Sequence, residues 1–327
     1  MKIGINGMGR IGRGLFKALW NNPYLEVAAV NDVAEASMIA HLLRHDSYYG
    51  GWEAEVDCAA GLLRVNGREI SFFREDAPER IPWKSCGVEW VVEATGRFKD
   101  RQALSGHSCP VVLTAASRSV DRQVVFGVNH EAIRDGDKYI SATSCTTHCV
   151  APPLWALNRA YGARTVLFNT VHCYNVSQTL VDAPKSDPRR ARAGALNMIP
   201  TTTSASIAVE EVIPELRGKV CGMAIRVPAP AVSLTEIIVE AERPPRDAAE
   251  VNALLSSASS GDLKGIISVC NEDLVSQDFR GTPFSSVIDG PLTAVNGGLI
   301  RIIAWYDNER GYVMRLLDLL NYLRLER

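Results

Sequence analysis

Gly7-Met8-Gly9-Arg10-Ile11-Gly12 restricts the fold of this chain more than any other stretch. Three glycines at that spacing are weak by themselves, because such spacings recur by chance. Here they follow a short β-like run, Lys2 to Asn6, and open a segment, Arg10 to Asn21, whose Ile11, Leu15 and Leu19 recur at helical spacing. The first glycine permits a tight turn, the second lets a pyrophosphate approach the backbone, and the third lets helix pack on strand. The helix N-terminus offers unpaired N–H groups and partial positive charge. A second apolar strand, Leu25 to Val30, ends at Asn31-Asp32, about twenty residues beyond Gly12. A carboxylate there accepts hydrogen bonds from an adenosine ribose and repels a 2′-phosphate, which predicts NAD over NADP. The plain alternative, an ordinary glycine turn followed by a solvated Asp, does not account for four features in this order.

The alternation continues. Ala36 to Arg44 and Asp100 to His107 read as helices, and Arg68 to Glu75, Val88 to Ala94 and Pro110 to Thr114 as strands, which together imply a parallel sheet. After Tyr139 the character changes. A long helix pattern runs from Cys145 to Tyr161. Extended runs follow at Arg164 to Tyr174, Lys219 to Val227, Val232 to Glu242 and Leu299 to Asp307, with few helices between them, such as Ala248 to Ser257. That pattern predicts a second domain with a large, mostly antiparallel sheet. Asn175 to Pro200 shows little periodicity and reads as a long ordered loop. Glu309 to Glu326 is a helix with Val313, Leu316, Leu317, Leu320 and Leu323 on one stripe. The chain has 327 residues, 46% hydrophobic and 22% charged, enough for two cores.

A net charge of −2 excludes the electrostatic footprint of a nucleic-acid or anionic-membrane binder. No apolar run is long enough to cross a bilayer, and Lys2, Arg10, Arg13 and Lys17 interrupt the first twenty residues. The eight cysteines form no dense framework, so free thiols in a reducing cytoplasm are expected.

One of those thiols has a chemical setting. Ser144-Cys145-Thr146-Thr147-His148-Cys149 lies where the strand Tyr139 to Ser141 gives way to the long helix, so Cys145 falls in the first turn. A helix N-terminus favours the thiolate and is expected to lower the thiol pKa, and a nearby imidazole would lower it further. His172, near the end of its strand, is the candidate base. A thiolate adds to an aldehyde as a thiohemiacetal; hydride loss to a nicotinamide then leaves a thioester. Taken singly, a cysteine is more often a small buried hydrophobe, and a histidine beside Cys173 is more often structural. A metal site built from Cys145, His148, Cys149, His172 and Cys173 matches no ordinary zinc spacing, because neighbouring strand residues point to opposite faces. No metal is therefore expected.

With these residues assembled, the sequence resembles the glyceraldehyde-3-phosphate dehydrogenase family. The likeness runs over nearly the whole chain. It includes Ile5-Asn6-Gly7-x-Gly9-Arg10-Ile11-Gly12-Arg13, Val30-Asn31-Asp32, Glu93-Ala94-Thr95-Gly96-Arg97-Phe98 and Ser144-Cys145-Thr146-Thr147-x-Cys149. It continues through Thr170-Val171-His172 and Arg226-Val227-Pro228 to Trp305-Tyr306-Asp307-Asn308-Glu309. The resemblance implies an α/β fold: a Rossmann dinucleotide-binding domain at 1–144 and an α+β catalytic domain at 145–308. A C-terminal helix, 309–327, would pack back on the first domain.

The resemblance also implies roles. Cys145 and His172 are catalytic. Asn6, Gly7, Gly9, Arg10, Ile11, Gly12, Asp32, Arg74, Thr95, Thr114 and Asn308 bind NAD, with Asn308 on the nicotinamide carboxamide. Arg190, Arg226 and Asn175 hold substrate phosphate, and Ser144, Thr146, Thr203 and Ser204 lie near the attacking inorganic phosphate. The activity implied is oxidative phosphorylation of glyceraldehyde-3-phosphate to 1,3-bisphosphoglycerate through a cysteine thioester, in a cytoplasmic homotetramer serving glycolysis. Alternatives are a specialised relative using erythrose-4-phosphate or arsenate, and a non-catalytic binding relative. Several positions depart from the family pattern: His148 for a common Asn, Asn175 for Thr, Ser177 for Asp or Thr, Ser204 for Gly, and Arg310. These cluster around the substrate.

Overall fold

A computed structural model describes residues 1–325. The chain divides into two compact units. One comprises 1–124, 131–143 and the described residues from 313 onward; the other comprises 125–130 and 144–312.

Among its described residues the first unit holds a nine-stranded sheet in the order Val56–Ala59, Leu62–Val65, Arg68–Phe73, Glu26–Asn31, Lys2–Asn6, Trp90–Glu93, Val111–Leu113, Tyr139–Ser141, Arg122–Gln123. All pairings from Arg68–Phe73 onward are parallel, as the strand–helix alternation predicts. Its central strand, Lys2–Asn6, is buried on both faces from Ile3 to Asn6, with Ile3 and Ile5 sharing one of them, and the helix Arg10–Leu19 lays Leu15, Phe16 and Leu19 into the core. Each such side chain contributes about 1.5–3 kcal/mol when fully buried. The helix at Arg101–Leu104 is a single turn capped by Asp100, shorter than the periodicity suggests. The C-terminal helix, Arg310–Leu325, buries Leu316, Leu319, Leu320 and Leu323. Glu326, to which the sequence pattern extended this helix, lies outside the described residues.

Among the described residues the second unit carries an eight-stranded sheet. Ile199–Thr201, Val220–Val227, Ala163–Cys173, Ser233–Ala241, Leu299–Tyr306, Ser286–Asp289 and Ile267–Cys270 lie in that order, with Ala294–Asn296 paired to Leu299–Tyr306. Most pairs are antiparallel. The exceptions are Ala163–Cys173 with Val220–Val227, and Ile267–Cys270 with Ser286–Asp289. One face, with Phe168, Ile237, Val239, Ile300 and Ile302, packs on Val150, Leu154 and Leu157 of the helix Cys145–Tyr161. The α/β architecture expected from the sequence is the one observed, and Asn175–Pro200 is a loop except for the short strand that begins at Ile199.

Candidate active site

The first of the parallel pairs in the second sheet sets the chemistry. Its register places His172 opposite Arg226 and Cys173 opposite Val227. Paired residues on neighbouring strands project to the same face. The imidazole and guanidinium therefore meet, with Arg226 Nη1 2.5 Å from His172 Nδ1. The carbonyl of Cys173 lies 2.7 Å from the same Nδ1 and accepts from Arg226 Nη1 at 3.1 Å.

The other partner comes from the long helix. Thr143, at φ 52, turns the chain sharply. Ser144 then caps the helix, its Oγ accepting from Thr147 N–H at 3.2 Å. Cys145 is the first helical residue, and its Sγ lies 3.7 Å from His172 Nε2. Cys149, one turn on, is fully buried, and burial pushes its thiol up to about 12. Burial likewise pushes Cys173 up to about 12. Cys145 alone of the three keeps part of its surface open to solvent, though densely surrounded.

The sequence expectation of a depressed Cys145 pKa needs correction. Burial raises this thiol, and the opposing pull of Arg226 and of the Thr146 hydroxyl and N–H does not cancel it. His172 is lowered to about 3, first by burial and then by the Arg226 charge, against the raising effect of the Cys173 carbonyl. Both shifts favour the uncharged forms, thiol and neutral imidazole, because burial penalises each charged form.

Tyr306 was not legible as a site residue. Its hydroxyl, fully buried, bridges Thr146 Oγ1 at 3.0 Å and Thr170 Oγ1 at 2.8 Å. Thr170 donates onward to the Leu234 carbonyl at 3.2 Å. Cys173 is a second unforeseen neighbour: its thiol donates to Asn308 Oδ1 at 3.1 Å. A tyrosine ending an apolar strand and a buried cysteine both read as core.

The remaining anion-binding candidates are dispersed along the loop and the helix that follows it. Arg190 donates from Nε to Thr201 Oγ1 at 2.8 Å and from Nη2 to Thr202, and its Nε also lies 3.5 Å from Asp187. Asn175 Oδ1 accepts from Ser177 N–H and Oγ–H at 3.0 and 2.6 Å. Thr203 accepts from Ala205 N–H, and Ser204 precedes the helix Ala205–Val212 without a side-chain cap.

In the first unit, the glycine turn fits a dinucleotide. Gly7 has φ +95, and a Cβ on Gly12 would lie 1.9 Å from the Gly7 carbonyl, so both positions require glycine. Nothing lies within 4 Å of a Cβ built on Gly9, which leaves the backbone open to a phosphate. The helix that follows has no side-chain cap and no acidic residue in its first turn. Asp32 Oδ2 accepts from Met8 N–H at 2.7 Å. Three of the NAD candidates have side-chain partners within the chain. Asn6 is buried, its side chain spent on Glu93 and Asn31. Arg10 pairs with Asp46 at 2.6 Å and stacks on Tyr48. Arg74 pairs with Glu35 and donates to the Val33 carbonyl. Thr95 and Thr114 both bond to Glu93, and Ile11 is half-buried.

Residues 1–101 match the family model described as the glyceraldehyde 3-phosphate dehydrogenase NAD binding domain, and residues 144–308 match that of the C-terminal domain. The chain belongs to the glyceraldehyde-3-phosphate dehydrogenase family. Relatives agree over nearly their full length. Glyceraldehyde-3-phosphate dehydrogenase of Geobacillus stearothermophilus is 44% identical, covering 99% of this chain and 98% of its own. Glyceraldehyde-3-phosphate dehydrogenase 1 of Bacillus subtilis is 45% identical over the same shares, and the Haloarcula vallismortis enzyme is 40% identical. As a member of the family the chain is an NAD-dependent dehydrogenase. Among its described residues no helix is long and apolar enough to cross a membrane.

Proposed function

We propose that this protein oxidises glyceraldehyde-3-phosphate with NAD and inorganic phosphate to 1,3-bisphosphoglycerate. The observation that carries this reading is the Cys145 Sγ to His172 Nε2 approach of 3.7 Å beside Arg226. Cys145 adds to the aldehyde carbon, giving a thiohemiacetal whose oxygen holds the transferred proton. NAD, when bound, supplies the hydride acceptor. As the carbon loses hydride, His172 Nε2 takes the hydroxyl proton and a thioester remains on Cys145. Phosphate attacks the thioester carbonyl, the C–S bond breaks, and the thiol recovers the proton from His172. Ser144 and Thr146 at the helix start, with Thr203 and Ser204 before the open helix N-terminus, are the groups we assign to the attacking phosphate. Arg190, Arg226 and Asn175 Nδ2 are assigned to the substrate phosphate. Asn6, Gly7, Gly9, Arg10, Ile11, Gly12, Asp32, Arg74, Thr95 and Thr114 are assigned to NAD, and Asn308 to its carboxamide. On this reading 1–144 binds the cofactor, 145–308 carries the chemistry, and the helix from 309 belongs with the cofactor-binding domain.

The same reading includes a cytoplasmic homotetramer. Leu167 and Met223 lie exposed on adjacent strands, and the loop presents Val176, Leu180, Val181, Leu196 and Met198 to solvent. Apolar side chains grouped in this way are a surface for other copies of the chain. Stopped-flow NADH formation tests the chemistry. Without phosphate we expect a burst near one equivalent per site and slow turnover after it; phosphate or arsenate accelerates the steady state. Fast steady turnover without either oxyanion would make water the nucleophile and refute the phosphorylating assignment.

A further inference from the structure

The first unit contains a buried titratable pair that the chemistry above does not use. The side chains of His107 and Glu93 are fully buried, with Nε2 and Oε2 3.2 Å apart. The indole Nε1 of Trp83 lies 3.0 Å from His107 Nδ1. An indole nitrogen only donates, so Nδ1 accepts, the ring is neutral, and its one N–H is on Nε2, aimed at Glu93. Glu93 gathers further donors. Asn6 Nδ2 reaches Oε2 at 2.5 Å, and Thr95 donates to Oε1 from its backbone N–H, at 2.9 Å, and from its hydroxyl.

These two donors flank the glycine turn. Asn6 directly precedes Gly7, and Gly7 packs so closely that a Cβ there would lie 2.7 Å from Thr95 N. Thr95 in turn accepts from Arg97 N–H at 3.1 Å. Both sides of the turn thus depend on one carboxylate. Trp83 is itself fixed: it lies against Gly4, where a Cβ would come within 2.7 Å of the ring, and Phe73 meets it edge-on at 6.2 Å.

We propose that Trp83 and His107 are positioning residues for the dinucleotide, acting through Glu93 to fix Thr95 and Asn6 and so the turn that receives the pyrophosphate. The indole sets the imidazole tautomer, the imidazole orients the carboxylate, and the carboxylate holds the turn. Loss of the imidazole leaves a buried N–H on Trp83 without an acceptor and Glu93 short of one donor, and the turn loosens.

Two substitutions separate positioning from bulk. His107→Leu removes both hydrogen bonds, whereas His107→Gln offers an acceptor to the indole and a donor to the carboxylate. In the intact enzyme the dissociation constant for NAD is measured by titration calorimetry, with KM for NAD and kcat at saturating NAD beside it. His107→Leu is expected to weaken NAD roughly tenfold with kcat within about twofold, and His107→Gln to stay within about threefold of the parent. Unchanged NAD affinity in His107→Leu, with only the melting temperature lowered, overturns the proposal. So does a His107→Gln variant as weak as His107→Leu. Should His107→Leu not fold, Trp83→Phe carries the test: weaker NAD binding supports the relay, and unchanged binding overturns it.

Discussion

Arg226 Nη1 approaches His172 Nδ1 to 2.5 Å, and both share the carbonyl of Cys173. A guanidinium only donates and a carbonyl only accepts, so Nδ1 either accepts from Arg226 or donates to Cys173; in the first arrangement the neutral imidazole carries its proton on Nε2, facing Cys145. In that tautomer His172 cannot take the thiol proton. An anion that draws Arg226 away lets Nδ1–H donate to the Cys173 carbonyl and frees Nε2 as a base. Substrate phosphate, on this view, prepares the pair that will attack its aldehyde.

Carbamidomethylation reads that state directly. Cys145 is raised by burial, so in the free protein its thiolate is scarce at neutral pH and alkylation by iodoacetamide should quicken as pH rises. His172, lowered to about 3, stays neutral from pH 5 to 9 and adds no inflection there. Glycerol-3-phosphate should speed the reaction several-fold at pH 7. A rate that plateaus below pH 7 without any anion would mean that a thiolate–imidazolium pair already exists. Labelling should reach Cys145 before Cys149 or Cys173, whose thiols burial holds near 12.

Removing the base should cost rate without unfolding the protein. His172→Asn is expected to lower kcat by roughly 10²–10⁴-fold, the usual contribution of one general base. Cys145→Ser should abolish NADH formation altogether, including the burst, while NAD binding persists. Retained burst amplitude in Cys145→Ser would assign the nucleophile elsewhere.

Asp32 should set cofactor preference. A carboxylate against a 2′-phosphate costs several kcal/mol, so kcat/KM for NAD should exceed that for NADP by at least about a hundredfold. Asp32→Gly should narrow the gap. It should also lower the melting temperature, because Met8 N–H loses its acceptor at 2.7 Å. Equal use of both cofactors by the parent enzyme would contradict the assignment.

Tyr306→Phe tests the buried hydroxyl row. Its loss leaves Thr146 and Thr170 short of a partner, at about 1–3 kcal/mol of stability for the buried groups left unpaired. Because Thr146 follows Cys145, the phosphate-dependent steady state should slow more than the burst. An unchanged unfolding midpoint would show that the row carries no strain on removal and that Thr146 is held by other means.

The sequence made some features plain and hid others for physical reasons. Apolar periodicity placed the helix at Cys145 and the strand ending near His172 because each is long and strongly patterned. The hairpin Val56–Ala59 and Leu62–Val65 was missed, since four-residue strands carry too few alternations to stand out. The helix Ala205–Val212 follows a run of Thr and Ser that reads as loop. The partners of Arg10 and Arg226 could not be read at all. Asp46 and the Cys173 carbonyl meet them through chain packing, and no local spacing records such meetings. The direction of the Cys145 shift was likewise hidden, because desolvation depends on everything packed around the sulfur.

The pairing of His172 with Arg226 makes the sheet a ruler with a two-residue tick. One residue inserted ahead of Arg226 within Val220–Val227 would swing the guanidinium to the opposite face, yet leave a chain still able to form a strand. Heritable change in what such a catalyst accepts is therefore channelled away from its strands and into positions where the count of residues does not matter. Asn175, Ser177 and Ser204, all outside the sheet, are three of those positions.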